Sequence, residues 1–122
     1  LNQLIERNDL VINDYLLYGK TFIQTLEDYN EAKTIFKTIY DNFTIIEKAL
    51  EVQGFKSTKI TLLEWKEWQE SLPELVFLLY LCYKELEEYD NAILLMEDWL
   101  VRNPTDLEAT KLLDEIKELQ NS

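Results

Sequence analysis

The sequence has no histidine, two glycines, two prolines, one cysteine and one methionine in 122 residues. The missing histidine excludes His-based catalytic triads, most zinc sites and the commonest general base. Gly19 and Gly54 stand alone, so neither usual kind of glycine-rich, phosphate-cradling loop can form, and nucleotide enzymes are excluded with it. Cys82 has no second cysteine to pair with. Its place between Leu81 and Tyr83 reads as a core thiol rather than a nucleophile, and it fits a reducing compartment, cytoplasmic or nuclear. The longest uninterrupted apolar run, Leu75 to Tyr83, has nine residues, about half of the ~20 that span a bilayer. No charged-then-apolar signal pattern is seen, so an intracellular location is expected, with no membrane contact from this segment. The carboxylates Glu85, Glu87, Glu88 and Asp90 lack the D-x-D-x-D-G spacing that gathers ligands around calcium. No cofactor, no metal and no enzymatic activity are expected.

What the chain does have is apolar residues, at 47%, and acid. A chain of this length and composition buries one domain's core without disulfides or metal. Its start at Leu1 and its polar ending, "KELQNS", read as a piece cut from a longer protein. Twenty-four acidic residues face twelve basic ones, a net charge of -12. Residues 1–60 hold seven basic and nine acidic side chains, or -2; residues 61–122 hold five and fifteen, or -10. Such a surface repels phosphate backbones and anionic lipid and attracts basic protein segments. The plainer reading is that the excess carboxylates keep a helical protein solvated.

Scarce glycine and proline, and almost no β-branched alternation, make the chain all-α. Six helices are expected. The first runs from about Asp9 to Leu26. A capping box, Asp28 to Glu31, opens the second, whose Ala32, Phe36, Ile39, Phe43, Ile46 and Leu50 step by four and three until Gly54 closes it. Phe55 to Ile60 reads as a loop. Thr61 to Glu64 is a second box, opening a short helix with Trp65, Trp68 and Leu72 on one face; Ser71 to Glu74 is a third, opening an oily helix from Pro73 to about Leu86. A fifth helix spans about Asp90 to Arg102 and stops before Pro104. The box Thr105 to Glu108 starts a last helix, with Ala109, Leu112, Leu113, Ile116 and Leu119 on one face as a lid.

One phrase occurs twice, "LEDYNEA" at Leu26–Ala32 and "LEEYDNA" at Leu86–Ala92, sixty residues apart. Leu, Glu, Tyr and Ala recur at the same places, and beyond them Phe36 aligns with Met96 and Ile39 with Trp99. Each unit reads as a helix, a tight acidic-aromatic turn and a second helix that packs back through a small alanine. On these residues the chain resembles the tetratricopeptide repeat (TPR) family, whose 34-residue pattern runs W-x2-L-G-x2-Y, then A-x3-F, then P. In residues 73–106, Val76, Leu79, Tyr80, Tyr83, Ala92, Met96 and Pro104 take the family's places, and tyrosine in the glycine slot would widen the helix pair. In residues 13–46 the places fall to Leu16, Gly19, Lys20, Ile23, Ala32 and Phe36, with Thr44 where proline belongs. The domain then divides into a first repeat, 13–46, its second helix extended to about 53; an inserted loop and tryptophan helix, 54–72; a second repeat, 73–106; and a capping helix, 107–122. An ordinary bundle with two similar hairpins is the alternative.

The resemblance implies a short right-handed superhelical array that binds a protein or peptide along the face made by the first helix of each pair. That face would hold Asp14, Leu17, Thr21, Gln24 and Thr25; Glu74, Phe77, Leu81, Lys84 and Glu85; and Glu108, Lys111 and Glu115. Leu17, Thr21, Phe77 and Leu81 are the wrong chemistry for the clamp by which chaperone-docking members grip an acidic tail. An apolar floor with acidic edges suits a basic amphipathic segment instead. The expected function is a non-enzymatic interaction module of a scaffold or adaptor. The alternatives are an assembly chaperone shielding a basic client, and a structural bundle that self-associates through Trp65 and Trp68. Those two tryptophans are either exposed partner anchors or the cover over Phe43, Ile46 and Leu50, the second being favoured.

Overall fold

A computed structural model describes residues 12–58 and 60–122. Among them the chain is all-helical, with five helices: α1 (Ile12–Leu26), α2 (Tyr29–Thr58), α3 (Leu62–Glu85), α4 (Tyr89–Arg102) and α5 (Leu107–Asn121). The expected start of the first helix, Asp9 to Val11, lies outside the described residues. Each helix packs on the next, and α1 also packs on α3.

Three sequence boundaries moved, each for a physical reason. The tryptophan helix and the oily helix are one helix, α3, with Pro73 inside it. Trp65, Trp68, Leu72, Leu75, Val76 and Leu79 are all buried and run as one stripe through the proline, so their burial outweighs the ~3 kcal/mol that an interior proline costs. Ser71 caps nothing: its hydroxyl donates to Asn13 Oδ1 on α1 at 3.0 Å. Gly54 does break α2, at φ 76° and ψ 176°, but Phe55 to Thr58 turn helical again beyond the kink, so most of the expected loop is helix. The last N-cap is Asp106 rather than Thr105, its carboxylate accepting from Ala109 N–H at 3.1 Å.

In the other two boxes the cap side chain accepts as expected, while Asp28 N–H, which Glu31 was expected to satisfy, is bonded to Phe22 O. Asp28 Oδ1 accepts from Glu31 N–H at 3.0 Å and Thr61 Oγ1 from Glu64 N–H at 3.1 Å. Ala32, Phe36, Ile39, Phe43 and Ile46 form the buried seam of α2, joined by Ile35; Leu50, at its end, is only half-buried.

Both copies of the repeated phrase place a left-handed glutamate at the turn, but the closing hydrogen bonds differ, the first copy running from Asp28 N–H to Phe22 O. Glu27 (φ 50°) and Glu87 (φ 59°) are the two non-glycine residues with positive φ among those described, each ending a helix in the left-handed conformation usual for such stops. After Glu87 the chain closes as a Schellman motif, Glu87 N–H to Lys84 O and Glu88 N–H to Tyr83 O. Two residues later the tyrosine packs against the core, and Ala32 and Ala92, both fully buried, each donate 3.1 Å hydrogen bonds to Asp28 O and Glu88 O.

The two hairpins lie side by side in the same direction. Between α1 and α3, Asn13 meets Ser71 and Lys20 pairs with Glu74 at 2.6 Å. From α2 toward α4, Lys33 pairs with Glu88 at 2.7 Å, Tyr40 donates to Asp98, and Arg102 grips Glu47 with both terminal nitrogens at 2.7 and 2.8 Å. Residue numbers rise together along both seams, so the paired helices run parallel. Helix α5 closes the far side with Ala109 and Ile116 buried. Tyr80, in the slot expected to widen the helix pair, donates its hydroxyl to Leu112 O on α5 at 3.2 Å.

Candidate interaction surface

On α1 the residues expected to line a groove all face solvent: Leu17 is 62% exposed, with Thr21, Gln24 and Thr25 exposed beside it. Thr21 Oγ1 donates to Leu17 O at 2.9 Å, and Thr25 Oγ1 to Thr21 O. With their hydroxyls bonded back into the helix, the threonines' polar groups are already satisfied, and no charged side chain stands on α1 after Lys20. Lys20 itself is paired to Glu74. The expected acidic edge at Glu74 is therefore neutralised by its neighbour.

On α3, Phe77 and Leu81 are half-buried rather than open. Phe77 meets the Trp99 ring edge-on, centroids 6.3 Å apart, so it serves the contact between α3 and α4 as well as any surface. Lys84 and Glu115 are brought together, lining with Glu118, Leu119 and Ser122 one shallow depression between the ends of α3 and α5. Glu85 and Lys111 are exposed on their helices.

Trp65 and Trp68 are core. Each is 8% exposed, and both stack on Phe43, at centroid distances of 4.8 and 6.5 Å. Arg102 lies over the other partner of that stack, its guanidinium carbon 5.5 Å from the Phe43 centroid, while its terminal nitrogens hold Glu47. Rings buried this way cannot serve as exposed anchors; they cover the extension of α2.

The titratable groups with displaced pKa values are structural ties. Burial pushes the Tyr40 hydroxyl up, with Asp98 beside it adding to the shift. Burial pushes the Cys82 thiol up to about 12. The Lys33 ammonium holds Glu88 below its ordinary value, and the Trp99 indole N–H, 2.8 Å away, does the same for Asp106. The sequence reading missed every inter-helix tie. Its signal was the repeat itself, since Lys33–Glu88, Tyr40–Asp98, Glu47–Arg102, Asn13–Ser71 and Lys20–Glu74 are all separated by nearly the offset of sixty. Among the described residues no helix is long and apolar enough to cross a membrane. No family model, curated protein or solved structure matches the chain.

Proposed function

We propose that this chain is a non-enzymatic protein–protein interaction module, a TPR-like pair of hairpins acting as an adaptor or scaffold, and that its partner is a basic amphipathic segment. The observation that carries the reading is the exposed face of α1. Leu17, Thr21 and Gln24 stand in solvent with no charge among them and Lys20 paired to Glu74, while Glu85 on α3 and Glu115 and Glu118 on α5 face solvent. An amphipathic helix laid there sets its apolar side on α1 and α3 and its cations on the acidic rim.

The test is fluorescence anisotropy with a labelled model helix carrying leucines at i, i+3, i+4 and i+7 and lysines on the opposite face, against wild type and Leu17→Lys/Thr21→Lys. Both positions are exposed, so the variant keeps its fold. Micromolar binding by wild type, weakened at least roughly tenfold in the variant, is expected. Equal binding by the two proteins, or none by either, rejects the groove. The net charge of -12 favours one second reading, an assembly chaperone that shields a basic client by charge alone. Binding that collapses between low and high salt and ignores the Leu17 change would assign that role instead.

A further inference from the structure

Helices α2 and α4 lie side by side without close packing, and long side chains bridge them. Beside the Tyr40–Asp98 bridge, on its Lys33–Glu88 side, is a cleft of about 210 Å³. Leu79 and Tyr83 of α3 and Leu95 of α4 are its buried lining. Tyr83 is only 7% exposed, and its hydroxyl makes no hydrogen bond among the described residues. The side-chain atoms there that are both sealed and unpartnered are Asn42 Nδ2 and Arg102 Nε. The Tyr83 hydroxyl is therefore not sealed, and it opens on the cleft that the residue lines. Buried phenols usually find a partner, as Tyr40 does in Asp98 and Tyr80 in Leu112 O. Around this hydroxyl stand acceptors with an oxygen to spare. Asp41 takes Lys37 at 2.9 Å through Oδ2, Asp98 takes Tyr40 through Oδ2, and Asn91 turns its amide N–H to Glu88 at 3.0 Å, which leaves Oδ1. The charges of the lining are one lysine against two aspartates, net -1.

We propose that this cleft is a binding site for one arginine side chain of a partner protein. The aliphatic stem lies on Leu79 and Leu95, and the guanidinium donates to the Tyr83 oxygen and to the spare oxygens of Asp41 and Asp98. Size argues for a single side chain, since the cleft is smaller than the roughly 300–1,000 Å³ of small-molecule sites. Charge argues for a cation, because the two carboxylates and the chain's net charge of -12 repel an anion. The number of acceptors argues for guanidinium, whose planar fork serves several oxygens at once, where an ammonium is a compact point charge. Lys37 does not oppose this, its ammonium being already held by Asp41. The cleft shares no residue with the α1 face, so the two readings stand or fall separately.

NMR titration of the whole chain with acetyl-arginine methylamide tests this, with the lysine, citrulline and aspartate counterparts as comparisons. The methyl signals of Leu79 and Leu95 are expected to shift and to saturate, with a dissociation constant on the order of 1–10 mM for so small a ligand. The lysine compound binds more weakly, and citrulline, which keeps the shape without the charge, and aspartate do not bind. Tyr83→Phe keeps the ring and removes only the hydroxyl, so it weakens arginine binding roughly tenfold, as losing one hydrogen bond to a charged group does. It also melts at the wild-type temperature, no bond within the fold being lost. Asp41→Asn, at an exposed position, weakens binding as well, and Leu17→Lys/Thr21→Lys leaves it unchanged. Shifts that never saturate and spread over the acidic helices overturn the proposal in favour of attraction by charge alone. Lysine, citrulline or aspartate binding as tightly as arginine overturns it, and so does undiminished binding by Tyr83→Phe. A lower melting temperature for Tyr83→Phe overturns it too, by showing that the hydroxyl is already tied within the fold.

Discussion

Gly19 lies on the buried side of α1, and a methyl group placed there would sit 2.5 and 2.7 Å from Cε1 and Cζ of Phe36. Phe36 is itself fully buried, so its ring has nowhere to retreat. Gly19→Ala sets two effects against each other. Alanine in a helix interior is better than glycine by about 1 kcal/mol, while forcing a methyl into a filled core costs roughly 1–3 kcal/mol. Contacts this short with an immobile ring belong at the upper end, so the net loss is about 2 kcal/mol, or roughly 6 °C in Tm for a domain of this size. Urea denaturation of Gly19→Ala, Phe36→Leu and the double variant reads it out. Leucine lacks both ring atoms that would clash, so the double variant is expected to lose at least about 1 kcal/mol less than the two single losses combined. A Gly19→Ala protein as stable as wild type would show that helix propensity wins and that the ring yields. Additive losses would place the cost somewhere other than this contact.

Asp106 accepts from both Trp99 Nε1–H and Ala109 N–H. Asp106→Ala is expected to cost about 2 kcal/mol, a lost N-cap plus a buried indole donor left without its partner, measured by thermal melts at pH 7. The carboxyl's pKa is lowered in the fold, first by Trp99. Its ionised form thus stabilises the protein above the ordinary aspartate pKa near 4, and that contribution is lost as pH falls through the lowered folded value. Asp106→Asn keeps an acceptor but does not titrate, so it should lose less stability than wild type between pH 7 and pH 3; parallel losses refute the assignment. Cys82 is fully buried and its thiol is raised to about 12. In native buffer at pH 8 it is expected to resist Ellman's reagent and to react at once in guanidinium, and rapid native labelling would show that α3 opens there.

The parts of the fold legible in the sequence are those written in local chemistry. The seam of α2, the caps at Asp28 and Thr61 and the doubled turn all depend on residues within one or two helical turns of one another, and such spacings can be read directly. Pro73 shows where that reading fails. A capping box and a proline both argued for a new helix, but the choice lay with a stripe from Trp65 to Leu79 that packs on α2, a tertiary term that no local signal contains. The candidate surface divides the same way. Leu17 and Thr21 could be assigned to solvent from the helix period alone, whereas Glu74's pairing with Lys20 and Phe77's contact with Trp99 require knowing which helices are neighbours. That information was present in the repeat. When two copies of a hairpin lie parallel, residues at nearly the repeat offset become neighbours, and the offset of sixty thus encodes the seams from Lys33–Glu88 to Glu47–Arg102. The extension past Glu47 has no counterpart in the second hairpin, where α4 stops at Arg102. It therefore has no parallel neighbour, and Val52, which lies on it, is left in solvent.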